Sequence, residues 1–131
     1  MITVLVDHNM EGQAILLWGA LAVEGWLALV PLRLVTFGEV GLPFDSDDRT
    51  VWRFVQAQRM LLLTNNRSMK GPDSLEQTIR EERTSTTLPV ITIGSLDRLD
   101  EQAYREHCAT RLVEIALDLD AYAGVTRLFI P

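Results

Sequence analysis

Thiol chemistry is nearly absent from this sequence: Cys108 is the single cysteine in 131 residues. One cysteine closes no intramolecular disulfide and builds no cysteine zinc cluster, which points to an intracellular, cytoplasmic protein. With no activating partner nearby in sequence, Cys108 reads as a buried, inert thiol. Lysine is almost missing too; Lys70 is the only one, and arginine supplies the remaining basic residues. Twelve Lys and Arg against eighteen Asp and Glu leave a formal charge of −6, which excludes a protein that grips duplex nucleic acid by charge alone. A phosphodiester enzyme stays open, because carboxylates that bind Mg²⁺ count toward that negative total. The sequence also lacks G-x-G-x-x-G, a Walker loop, H-x-H, H-E-x-x-H and a serine nucleophile elbow, so nucleotide-cofactor binding, zincin chemistry and serine hydrolysis have no support. No interleaved basic and aromatic surface of the single-strand-binding kind is present.

Repeats, low-complexity stretches and linkers are missing as well. A composition of 47% hydrophobic and 23% charged residues is that of a globular domain and excludes disorder. A chain of this length buries roughly two thirds of its unfolded surface and needs no staple, so residues 1–131 read as one domain. The 19 residues Gln13–Pro31 carry Glu24 as their only charge, near the length of a membrane span. Glu24-Gly25 interrupts that run, Pro31 ends it, and no basic residue precedes Arg33, so two consecutive buried elements explain it better and no membrane partner is expected.

Read along the chain, strands alternate with helices. Ile2–Val6 is a β-branched strand, and Asp7 or Asn9 can cap the helix that follows, whose apolar stripe is Ile15, Trp18, Leu21 and Ala22, ending near Glu24-Gly25. Leu32–Phe37 is a second strand, and Gly38, Gly41 and Pro43 mark a loop. The acidic run Asp45–Asp48 opens a helix with Val51, Trp52, Val55 and the stem of Arg59 facing inward. Met60–Thr64 is a third strand, Asp73-Ser74-Leu75-Glu76 a capping box that starts a short helix to about Arg83, and Leu88–Ile93 a fourth strand. A long helix between Asp100 and Asp120, on the stripe Tyr104, Cys108, Leu112, Ile115 and Leu119, leads to a last strand, Arg127–Ile130. The three tryptophans and His107 fit structural roles. This order implies right-handed βαβ units and a three-layer α/β/α domain with a mainly parallel sheet of about five strands.

In such sheets, ligands bind beyond the carboxyl ends of the strands, where strand order reverses. Asp7, His8 and Asn9 follow the first strand, Glu39 the second, and Asn65, Asn66 and Arg67 the third, with Asp45–Asp48 beginning the helix between strands two and three. The set is rich in oxygen and free of thiolate, so it suits a hard cation such as Mg²⁺ or Mn²⁺. A metal there activates water and stabilises in-line phosphoryl displacement. Each residue also has a plainer reading: Asp7 as a helix cap, the acids as helix-start electrostatics, Asn65-Asn66 as a turn, and Arg67 as a solvated or ion-paired side chain.

The opening ITVLVDHN, the acid-led helix from Asp48 that runs into an alanine and a basic residue, and the strand LLLTNNR together resemble the PIN-like domain, and among its members the small stand-alone bacterial proteins related to toxin–antitoxin ribonucleases. The resemblance covers residues 1–70 best. It implies a PIN-like fold, a metal-dependent ribonuclease, RNA as substrate and a cognate antitoxin as partner. Asp7 matches the family's first metal-binding acid, and Asp48 the second, with Asp47 one position away. The family's third strand usually runs into T-N-D-x-D-F, but here Asn66 and Ser68 stand at the aspartates and Met69 at the aromatic. Two neutral groups in place of carboxylates weaken a site whose affinity follows ligand charge. Asn65 and Asn66 still offer carbonyl oxygens, Asp73 or Glu76 can swing in from the next helix, and Asn9 and Arg67 are candidates for substrate contact.

Three readings follow. The first is a divalent-metal ribonuclease with Asp7, Asp48 and Asn66 in the catalytic set and Asp7, Asp48, Asn65 and Asn66 around the metal. The second is a degenerate PIN-like module that assembles with a partner, or with a second copy through its apolar first third. The third is a receiver-like phosphate-sensing domain, which wants an acid after the third strand and a lysine near the chain's end; the lone lysine is Lys70.

Overall fold

A computed structural model of the chain describes residues 1–66 and 71–131. Five strands, β1 (Ile2–Val6), β2 (Leu32–Val35), β3 (Leu61–Thr64), β4 (Val90–Ile93) and β5 (Arg127–Ile130), form one sheet in the order β2-β1-β3-β4-β5. Every neighbouring pair is parallel, with Leu5 opposite Val35 and Leu62, and Leu63 opposite Ile91. The helices are α1 (Glu11–Val23), α2 (Trp26–Leu29), α3 (Phe37–Val40), α4 (Asp48–Ala57), α5 (Leu75–Glu82) and α6 (Gln102–Leu117). The expected three-layer α/β/α architecture is therefore what the chain adopts.

Alternation along the strands feeds two cores. Val4, Val6, Leu61, Leu63, Ile91 and Ile93 face α1 and α6, while Leu5, Leu62 and Val90 face α4 and α5. Stepping from β1 to β2 and from β4 to β5 runs in opposite directions across the sheet, yet α1 and α6 cover the same face. The β4–α6–β5 crossover thus has the opposite hand to the other three, contrary to the uniform right-handedness expected from sequence. Its cause is coverage: α1 alone leaves the β3 and β4 side of that face bare, and the buried stripe Tyr104, Cys108, Leu112 and Ile115 of α6 fills it. Burial there pushes the Cys108 thiol up to about 11, in keeping with an inert side chain.

Several local expectations need correction. The inner face of α1 is Ala14, Leu17 and Leu21, with Met10 buried just before it, whereas Ile15 is 67% exposed and Ala22 lies outside. Because α1 is apolar all round, its periodicity selects no face; packing does. Strand β2 stops at Val35, because Thr36 and Glu39 form a reciprocal capping box that starts α3 where a loop was expected. Arg59 leaves the helix in a left-handed conformation (φ 55°), is exposed, and donates to the Thr86 carbonyl at 3.0 Å. The cap of α5 is Ser74, which accepts from the Gln77 amide at 3.2 Å, and the Asp73/Glu76 box does not form. His107 is exposed. No helix among the described residues is long and apolar enough to cross a membrane.

Candidate functional site

The strand order reverses between β1 and β3, where the chain departs in opposite directions from two adjacent parallel strands. A crevice opens at that point beyond their carboxyl ends. The Asp7 amide continues the β1–β3 ladder by donating to the Leu63 carbonyl at 2.9 Å, which sets the Asp7 side chain beside the tip of β3. There the Thr64 hydroxyl donates to Asp7 Oδ2 at 2.7 Å and accepts from the Asn66 amide at 2.9 Å. Asn66 Nδ2 donates to Asp48 Oδ1 at 2.9 Å, and the Leu75 amide donates to Asp48 Oδ2 at 3.1 Å. An unbroken hydrogen-bonded chain therefore runs Asp7, Thr64, Asn66, Asp48 and reaches the first residue of α5.

The crevice is an open cleft of about 500 Å³ bordered by Asp7, His8, Asn9, Phe44, Asp48, Asn65 and Asn66. A smaller recess of about 50 Å³ beneath it reaches Thr64 and Leu75. The sequence-derived set Asp7, Asn9, Asp48, Asn65 and Asn66 is thus brought together, although segments as distant as β1 and β3 supply it. Arg67 and Ser68 lie outside the described residues.

Neither Asp7 nor Asn9 caps α1: the 3-10 turn His8–Met10 intervenes, and no side-chain cap forms there. Asp47, not Asp48, caps α4, accepting from the Thr50 amide at 2.7 Å, and those hydrogen bonds hold its carboxyl below the usual range. That role turns Asp47 away from the cleft and leaves Asp48 to line it. Asp73 and Glu76 do not swing in, because Asp73 pairs with Arg49 and Glu76 with Arg127. Glu39 is occupied by its capping box.

Sequence reading missed Thr64, Phe44 and Arg127. Arg127, on β5, is only 9% exposed and donates to Glu76 Oε1 at 2.6 Å, Thr92 Oγ1 at 2.7 Å and the Asn66 carbonyl at 2.8 Å. It ties the far edge of the sheet to the tip of β3. The only sequence signal was an arginine within a short apolar strand.

Among the described residues, no ion pair involves Asp7 or Asp48, and no group of three or more His, Cys, Asp or Glu gathers as a metal cluster. The two carboxylates are held by a hydroxyl, an amide and a backbone N–H. This donor set fits Mg²⁺ or Mn²⁺, since Mg²⁺ commonly takes one or two protein carboxylates and fills its remaining positions with water and phosphate oxygens. In class, then, the chain is a doubly wound α/β/α domain with an acidic, oxygen-lined cleft at its switch point. No family model, curated protein or solved structure matches it.

Proposed function

We propose that the cleft takes Mg²⁺ or Mn²⁺ and that the chain is a metal-dependent ribonuclease of PIN-like type, cytoplasmic, and the toxin of a pair with a cognate antitoxin. One observation carries the reading: two carboxylates from distant segments meet at the switch point and, among the described residues, are held there by neutral donors. When bound, such a cation supplies an activated water and charge stabilisation at a phosphodiester. Asp7 and Asp48 would hold it, with Asn65 and Asn66 offering carbonyl oxygens. The Thr64 hydroxyl fixes the Asp7 carboxylate, and Asn66 fixes Asp48, so both acids are oriented before any ligand arrives. Asn9, exposed on the cleft wall, would contact the substrate.

Calorimetric titration of Mn²⁺ into the protein and into Asp7→Asn tests this, with RNA cleavage assayed in parallel. Saturable binding and cleavage that both vanish in the variant are expected. Cleavage that persists in Asp7→Asn would sink the assignment.

A second reading, a PIN-like module without cleavage that assembles with a partner, is favoured by two features. The Asn66 amide already occupies Asp48 where the family has an acid. Ile15, Leu16 and Val23 also leave an apolar groove of about 470 Å³ between α1 and α6. It predicts no Mn²⁺ binding and a homo-oligomer in solution, which sedimentation would reveal.

A further inference from the structure

Beside the acidic cleft stands a feature that metal chemistry does not use. Phe44 is 64% exposed although it is purely apolar, and it borders both the open cleft and the recess beneath. Its position is fixed by a tight turn: the Ser46 amide and hydroxyl both donate to the Pro43 carbonyl, at 3.1 and 2.7 Å. The ring lies parallel to that of His8, with centroids 4.2 Å apart and planes 6° from each other. His8 is held in turn by Glu11, at 3.0 Å from Nδ1, and rests near buried Phe37, at 6.0 Å between centroids. Phe37, His8 and Phe44 thus form a ladder of rings from the core to the rim of the cleft.

A solvent-facing ring stacked on His8 beside an acidic, cation-suited cleft matches what a nucleotide offers, a flat base a few bonds from a phosphate. We infer that Phe44, backed by His8, is a stacking platform for an unpaired nucleobase adjoining the phosphate bound in the cleft. The inference rests on the ribonuclease reading and assigns to Phe44 the base next to the bound phosphate. Stacking on an aromatic face is tolerant of base identity and independent of charge. It therefore supplies affinity that a protein of net charge −6 does not gain from basic residues. Tyrosine at this position keeps the ring; alanine removes it.

The test is a fluorescence titration of a short oligoribonucleotide carrying 2-aminopurine, in Mn²⁺ and in EDTA, with wild type, Phe44→Ala, Phe44→Tyr and Asp7→Asn. Wild type and Phe44→Tyr are expected to quench the base, and Phe44→Ala to bind about ten-fold more weakly. An oligonucleotide abasic at the probe position should bind wild type and Phe44→Ala alike. Equal binding by wild type and Phe44→Ala, or no binding by wild type, overturns the platform. So does a change in sedimentation of Phe44→Ala, which would make Phe44 a protein contact. The ribonuclease reading fails separately, through absent Mn²⁺ heat or cleavage that survives Asp7→Asn. Quenching that depends on Phe44 and persists in Asp7→Asn upholds the platform whatever becomes of the metal.

Discussion

Asp48 and Arg49 are consecutive residues at the start of α4, yet they belong to regions of opposite electrostatic design. Arg49 sits in a knot of acids, donating to Asp73 Oδ1 at 3.0 Å, to Glu81 Oε2 at 3.3 Å and to Glu82, while Arg53 reaches Glu82 Oε1 at 2.8 Å. The Pro72 carbonyl takes a further bond from Arg49 at 2.6 Å. That cluster staples α4 to α5, and guanidinium charge neutralises its carboxylates. On the other side of the same turn, among the described residues, Asp48 receives an amide and a backbone N–H, and Asp7 a hydroxyl. Acids that serve packing are paired with arginines; among the described residues, the acids of the cleft meet neutral donors instead.

The sharpest way to break this contrast is Asn66→Asp. The substitution exchanges an amide donor for a second carboxylate against Asp48, so unfolding without metal should lose about 2 kcal/mol. Mn²⁺ should more than restore it, since each ten-fold excess over the dissociation constant adds about 1.4 kcal/mol. Urea denaturation with and without Mn²⁺ measures both. A variant as stable as wild type and indifferent to Mn²⁺ would mean that the two regions do not differ as described.

In the paired cluster, Arg49→Met should destabilise the fold, because three acids and the Pro72 carbonyl lose their shared donor. This loss should shrink with added salt and should not respond to Mn²⁺, the reverse of the cleft variant. Thermal melts across ionic strength decide it.

The smallest expected effect is a pH dependence. Hydrogen bonding from Arg53 and then Arg49 holds the Glu82 carboxyl below its ordinary value of 4.5. A depressed folded value means a contribution that is present above pH 4.5 and lost as pH falls through the lower, folded value. Melting temperatures of wild type and Glu82→Gln should therefore differ near pH 6 and converge toward pH 3.

Some elements were legible in the sequence because their signals are local. The stripe Val51, Trp52 and Val55 recurs at helical spacing beside polar neighbours, so the buried face of α4 could be read directly. β5 lies where its short apolar run places it. By contrast α1, apolar on all sides, names no inner face, and the T-x-x-E box at Thr36 was hidden within an apolar run that also read as strand. The role of Asp7 was half visible: its place after β1 marked a candidate site, but a cap and a cleft acid look identical in one dimension.

By itself the sequence determined the alternation of strands and helices, the absence of thiolate chemistry, and which acids stand at element ends, since each follows from residue types and spacings within a few turns of chain. Only the tertiary structure decided which acids share a cleft. Thr64 meets Asp7 across 57 positions and Arg127 meets Asn66 across 61, contacts set by β1 and β5 lying on either side of the β3–β4 pair. It also decided that Asp48 lines the cleft while Asp47 caps the helix, one residue apart, because Asp47 keeps the extended backbone of a cap and spends its carboxylate on the Thr50 amide.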